Sequence, residues 1–293
     1  MTHAGPRVSV GLPVHNGGGY LTELLDSLLA QTFEDFELLI SDNSSTDSTA
    51  SICHRYAAGD ARVSYVRQRV NQGAAVNHNL VLEGARAPYF KWVGHDDRYH
   101  PGYLAACVAA LDADPGAVLC HSDTVVIDLD GSPLRTATPG ALASSTVTWE
   151  RFREVLLVPE EHRVFEMYGL MRTQVARATG GIGPYEGSDF PFIAQMALHG
   201  RFARVREPLF ENRVTPRTRY PEGHPSYDPS QLGRPRFFHA RMGLEFAGLL
   251  LRHPMPWPDR LRCFSALADN WPRKLRHLAG DVTGNVRGAL RRQ

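Results

Sequence analysis

The chain has 293 residues, 43% hydrophobic and 22% charged, enough to bury a large core as one domain or as one domain plus an appendage. A formal net charge of +1 excludes the strongly basic footprint of a nucleic-acid binder. No stretch approaches the roughly 18 uninterrupted apolar residues that span a bilayer, and MTHAGPRVSV is not a secretion signal, so a cytoplasmic location is expected. Cys53, Cys107, Cys120 and Cys263 lie far apart among apolar neighbours, which predicts buried thiols and no zinc-ligand pair.

The first third alternates strand and helix. Val8 to Leu12 is a short β-rich run stopped by Pro13 and the loop VHNGGG. Leu21, Leu24, Leu25, Leu28 and Leu29 then repeat at helical spacing. The run from Phe36 to Ile40 predicts a buried strand, ending in the turn and cap formers SDNSSTDST. A helix is expected from about Thr46 to Ala58, a strand over Val63 to Val66, and a helix over Ala74 to Ala85. Tyr89 to Val93 reads as a fourth strand running straight into Gly94-His95-Asp96-Asp97. Pro101 suits the first turn of the next helix. Val118 to Ile127, the Asp130-Gly131 turn and a weaker segment beyond it predict a strand pair.

The second half is less regular. Trp149 to Val158 is expected to be helical and Glu166 to Arg172 a strand. The glycine-rich GGIGPYEG leads into the helix SDFPFIAQMALHG, and Phe202 to Val205 and Pro208 to Phe210 read as short strands. Residues 213–236 carry five prolines and two glycines, too many for regular structure, which suits a lid or a disordered loop. The last 55 or so residues are expected to be helical, broken by prolines.

Strand–helix alternation at this spacing predicts a parallel sheet covered on both faces, with ligands at the carboxyl ends of its strands. The polar clusters HNGGG, SDNSSTD and GHDD all follow strands, and that coincidence marks a site.

The motifs Pro13 with Asn16, Gln31-Thr32, Glu37, and Asp42-Asn43-Ser44-Ser45-Thr46-Asp47 occur in a fixed order. Together with NQGAAVNHN, FKWVGHDD and SDFPFIAQMALHG, they make residues 7 to 215 resemble the family 2 inverting glycosyltransferases. The resemblance implies an α/β glycosyltransferase-A fold with a Rossmann-like, mostly parallel sheet flanked by helices and a helical C-terminal appendage. Its expected limits are a catalytic domain over 1–236 (nucleotide half about 7–127, acceptor half about 128–236) and the appendage over 237–293. It implies inverting transfer of a sugar from a nucleoside diphosphate, UDP or dTDP, to an unidentified acceptor hydroxyl with Mn²⁺ or Mg²⁺.

The resemblance also assigns residues. Asp42 would accept a pyrimidine N3–H, although an aspartate there also suits a turn or helix cap. Pro13, Val14, His15 and Asn16 would line the nucleobase pocket, with Asn71 and Gly73 beside the nucleotide. Asn77 stands in for an arginine that many relatives carry nearby. Asp97 would bind the metal, with Asp96 near the ribose or the metal; Gly94 replaces a further acid common in relatives. His95 suits an orienting role or a third ligand. Asp189 would be the catalytic base, with helix capping as the bland alternative and Glu186 in reserve. Arg213, Arg217 and Arg219 would serve the diphosphate or a lid, where Thr215 replaces the family's histidine. From Trp271 onward six basic residues accompany one acid, a solvated face or a peripheral contact with the inner face of the membrane. Two rivals are a non-catalytic nucleotide-sugar binding or scaffold protein, and a sugar-1-phosphate nucleotidyltransferase, whose loop arginine HNGGGYL lacks.

Overall fold

The computed structural model describes residues 5–158, 165–185, 187–214 and 238–269. The first strand, β1 (Val8–Val14), is buried at every position, as a central strand covered on both faces must be. It is followed by α1 (Leu21–Leu29), whose Leu21, Leu24, Leu25 and Leu28 form the buried stripe the spacing predicts. Then come β2 (Phe36–Asp42), α2 (Thr49–Gly59), β3 (Val63–Arg67), α3 (Ala74–Gly84) and β4 (Tyr89–Trp92). The chain continues through β5 (Arg98–Tyr99), α4 (Tyr103–Ala113), β6 (Ala117–Ile127), β7 (Pro133–Ala137), α5 (Thr148–Leu157), β8 (Leu170–Arg172), α6 (Thr173–Ala178), α7 (Asp189–His199), β9 (Arg201–Arg213) and α8 (Phe238–Arg252).

The sheet order is β3-β2-β1-β4-β8-β6-β9-β5, with β7 paired to β6. The first four strands are mutually parallel. Beyond them the sheet is mixed: β8 is antiparallel to β4 and β6, and β9 runs parallel to β6. Alternate residues of β4 divide between two cores. Phe90 and Trp92 face α3, α5, α7 and α8, while Tyr89 packs with α1, α2 and α4 on the other face.

Strand alternation therefore sends Lys91 into an apolar layer. Its ammonium is fully buried, without a hydrogen-bond partner, 3.6 Å above the ring of Tyr99 and 4.4 Å from that of Tyr103. Those rings supply cation–π attraction where water is excluded. Burial nevertheless pushes its pKa well down.

The structure differs from the sequence reading in three places. Residues 166–172 are strand only from Leu170. Phe165–Tyr168 forms a tight helical turn, closed by the Gly169 N–H on the Glu166 carbonyl. The two short strands after α7 are one strand, β9, because its pairing with β6 jumps from Val205 to Pro208 and the irregularity absorbs the proline. The short elements α6 and β5 lie below the length at which periodicity speaks. Helix α8 packs on α5 and α7: Phe246 meets Phe190 at 5.4 Å and Phe152 at 6.1 Å. Residues 257–269 are also helical.

Candidate active site

Asp42 ends β2 and is completely buried. Its Oδ1 accepts the Ser45 N–H at 2.8 Å, and its Oδ2 accepts the Tyr65 hydroxyl at 2.8 Å with Arg67 Nε 3.7 Å away. The turn-capping role weighed for it is thus present. Tyr65 and Arg67 escaped the sequence reading, yet the parallel register Asp42↔Arg67 puts the end of β3 beside the end of β2.

Neighbouring amides join three loops. Asn43 donates to Asn71 Oδ1 at 2.8 Å and to the Gly73 carbonyl at 3.2 Å, and its Oδ1 accepts the Gln72 N–H. Asn16, held at a positive φ of 54°, accepts the Thr46 N–H at 2.8 Å. His15 Nε2 lies 3.3 Å from the Asn71 amide nitrogen. Pro13 and Val14 are buried just before these loops. The structure thus gathers Pro13 to Asn16, Asp42, Asn71 and Gly73 at one edge.

Asn77 is different. Its Oδ1 accepts the Ser41 hydroxyl at 2.6 Å and its Nδ2 donates to the Ser41 carbonyl at 2.9 Å. That amide ties α3 to β2.

The acidic turn follows β4 on the same edge. β5 returns beside β9, bringing Asn212 and Arg213 against Asp97. Asp97 Oδ1 accepts the Asn212 amide at 3.0 Å and the Arg213 N–H at 3.2 Å. The carboxyl is 1% exposed, and burial, reinforced by the negative charge of Asp96, pushes its pKa well up. An ideal Cβ at Gly94 would lie 2.6 Å from Oδ2. His95 packs on Gly17, whose ideal Cβ would lie 2.9 Å from the imidazole.

Two adjacent carboxylates, one buried against the other's charge, suit a hard divalent cation with oxygen preference. Among the described residues no group of three or more His, Cys, Asp or Glu side chains is gathered to hold a metal alone. Asp96 and Asp97 offer oxygen ligands of the kind such a cation takes.

Arg213, expected to serve a diphosphate, makes several bonds to the scaffold. Its guanidinium donates to the carbonyls of Asp96, Asp128 and Leu129 and to Glu23 Oε2, and lies 4.2 Å over the Tyr20 ring. With its side chain 1% exposed, it braces the acidic turn. Arg217, Arg219, Thr215, Glu186 and the basic segment after Trp271 lie outside the described residues.

Asp189 is the first residue of α7, one place inside Ser188 at the cap position, where the helix dipole favours an acid. The Trp92 and Phe192 rings meet at 5.1 Å, bringing the first turn of α7 against the end of β4. Glu166, 1% exposed, accepts the Ala141 N–H at 2.6 Å; burial, with a smaller contribution from Asp189, raises its pKa to about 7. A lone buried glutamate outside any motif carries no sequence signal.

Residues 9–177 match the family model described as Glycosyl transferase family 2. An uncharacterized glycosyltransferase of Rickettsia typhi is 35% identical over 135 residues, 46% of this chain and 41% of that protein. The chain spans under half the length of the first relatives it matches by sequence. Among solved structures, S. aureus TarS 1–349 in complex with UDP-GlcNAc superposes with a TM-score of 0.69 at 20% identity, covering 92% of this chain and 73% of that one. A mannosyltransferase from Pyrobaculum calidifontis in complex with GDP-Man and Mn²⁺ gives 0.57 at 17% identity, covering 98% and 76%. At those identities the likeness establishes the fold.

Proposed function

The chain belongs to glycosyl transferase family 2 and has the glycosyltransferase-A fold, and from that premise we propose that it transfers a sugar from a pyrimidine nucleoside diphosphate, UDP or dTDP, to an acceptor hydroxyl with inversion. The observation that carries the proposal is the convergence of Asp42, Asn71 and the Asp96-Asp97 turn at the carboxyl ends of adjacent strands. Ligands of open α/β sheets occupy that edge.

In this reading Asp42 accepts the N3–H of the base, and its bonds from Ser45 and Tyr65 fix its orientation. The Asn43–Asn71 pair holds the nucleotide loop against β2. Asp97, with Asp96, would hold Mn²⁺ or Mg²⁺, which when bound supplies positive charge to the departing diphosphate. Asp189 takes the proton of the acceptor hydroxyl as its oxygen bonds to the anomeric carbon and the bond from that carbon to the diphosphate breaks.

The proposal extends to a cytoplasmic location, with peripheral attachment to anionic lipid through the C-terminal segment. Support comes from exposed Leu244, Leu251, Trp257 and Leu261 and from the basic composition after Trp271. Among the described residues no helix is long and apolar enough to cross a membrane.

A thermal-shift screen of nucleotide sugars with and without Mn²⁺, followed by a transfer assay on the hits, tests the central reading. Stabilisation by UDP- or dTDP-sugars that needs the metal is expected. Stabilisation by none of them, or binding without any turnover, overturns it.

A further inference from the structure

The stretch joining α6 to α7 leads directly to Asp189, and it has few anchors of its own. Gly180, Gly181 and Gly187 all have positive φ, between 75° and 80°. Such residues leave the unfolded chain with much freedom, so the folded path needs outside support. Among its described residues the backbone bonds are local: the N–H of Gly180 to the Arg177 carbonyl, that of Tyr185 to the Gly183 carbonyl, and that of Ser188 to the Tyr185 carbonyl.

Outside support comes from Asn79 on α3. Its Nδ2 donates to the Ile182 carbonyl at 2.9 Å, and its Oδ1 accepts the Ile182 N–H at 3.0 Å. One amide thus satisfies both backbone groups of one loop residue, as a neighbouring strand would. The approach is close enough that a Cβ on Gly181 would overlap Asn79 Oδ1. Ile182 is itself buried in the core shared by α3, α5, α7 and α8. From the opposite side, Arg241 of α8 lies 4.1 Å over the ring of Tyr185.

The other end of α3 belongs to the nucleotide edge. The helix starts after Gly73, whose N–H donates to Asn71 Oδ1 at 2.9 Å and whose carbonyl accepts from Asn43, the neighbour of Asp42. Asn79 lies six residues further on, about 9 Å along the helix axis at 1.5 Å per residue. A single short helix therefore has the nucleotide loop at one end and the Asp189 loop on its flank.

We propose that Asn79 is a positioning residue that couples the donor loops to the acceptor side, holding the segment before Asp189 in register with a bound nucleotide. The inference rests on the function proposed above and assigns Asn79 no contact with substrate.

Hydrogen–deuterium exchange tests it, with UDP and Mn²⁺ as the probe. In the wild type, UDP with Mn²⁺ should slow exchange in the peptide covering residues 179–188. Asn79→Ala should still bind UDP by calorimetry, weakened by no more than the few-fold that coupling to the loop supplies, yet show fast loop exchange that UDP no longer slows. Turnover of whichever nucleotide sugar the screen identifies should fall by about 10²-fold with the donor KM preserved, the scale of a misplaced reacting group. Gly181→Ala reaches the same contact from the loop side and should give the same split, which covers the case in which one variant fails to fold.

If UDP binds neither protein, the nucleotide reading falls and this inference with it. If UDP binds both and the loop responds equally, or responds in neither, the nucleotide reading stands and the role of Asn79 is overturned.

Discussion

Gly94 and Asp97 share one space: an ideal Cβ at position 94 would lie 2.6 Å from Asp97 Oδ2. The family acid missing at position 94 is therefore not simply a lost ligand. In this arrangement any side chain there displaces the carboxylate expected to bind the metal. Gly94→Ala should weaken Mn²⁺-dependent UDP binding although glycine offers no ligand atom, and Asp97→Asn should abolish it. Calorimetry with and without Mn²⁺ reads both; undiminished metal dependence in Asp97→Asn removes the residue from the site.

Asp42→Ala should weaken UDP binding by about 1–3 kcal/mol, the range for a hydrogen bond to a charged group. Because the same carboxylate holds Ser45 and Tyr65, the variant should also lose stability. Tyr65→Phe separates the two effects, since it removes one bond to Asp42 and leaves the acceptor for the base. Nucleotide affinity lost equally in both variants would return Asp42 to a purely structural role.

Asp189→Asn keeps the size of the side chain at the start of α7 and removes the proton acceptor. Transfer should fall by about 10²–10⁴, the usual weight of a general base, with donor affinity nearly unchanged. Steady-state kinetics beside a donor titration measures this. Turnover within a few-fold of wild type would pass the role to Glu186.

Glu166 makes folding pH-sensitive. Burial raises its carboxyl from 4.5 to about 7, so the folded protein holds this proton more tightly than the unfolded chain. Its contribution is intact below about 4.5 and is lost as pH rises through 7, a loss approaching roughly 3 kcal/mol. Glu166→Gln can still accept the Ala141 N–H and cannot ionise. Relative to wild type it should gain stability between pH 5 and pH 8 in urea unfolding; an equal difference at both pH values contradicts the assignment.

Vesicle flotation addresses the membrane proposal. Binding to vesicles rich in phosphatidylglycerol should exceed binding to phosphatidylcholine, weaken with salt, and fall in Trp257→Ser/Leu261→Ser. Equal flotation with both lipids, or none with either, would discard it.

The alternation of strands and helices through β4 was legible because hydrophobic periodicity is local. The polar strand ends were legible too: in a parallel sheet, residues that follow successive strands share one edge, so Asp42 and Asp97 could be grouped without coordinates. The joint order of motifs added the family. What lay beyond reach were roles decided by distant partners. Arg213 reads as a candidate diphosphate ligand, and nothing in the sequence shows that Glu23, 190 residues earlier, and the carbonyls around Asp128 accept from it. The run Asn77-His78-Asn79 advertises amides near the nucleotide, but a helix turns about 100° per residue. Two positions therefore separate the amide that meets Ser41 on β2 from the amide that meets Ile182 across the site. The sequence by itself determined which elements form and which strand ends are polar, since both follow from neighbours along the chain. Only the tertiary structure decided which partners each polar group meets, because that depends on contacts between residues tens to nearly two hundred positions apart.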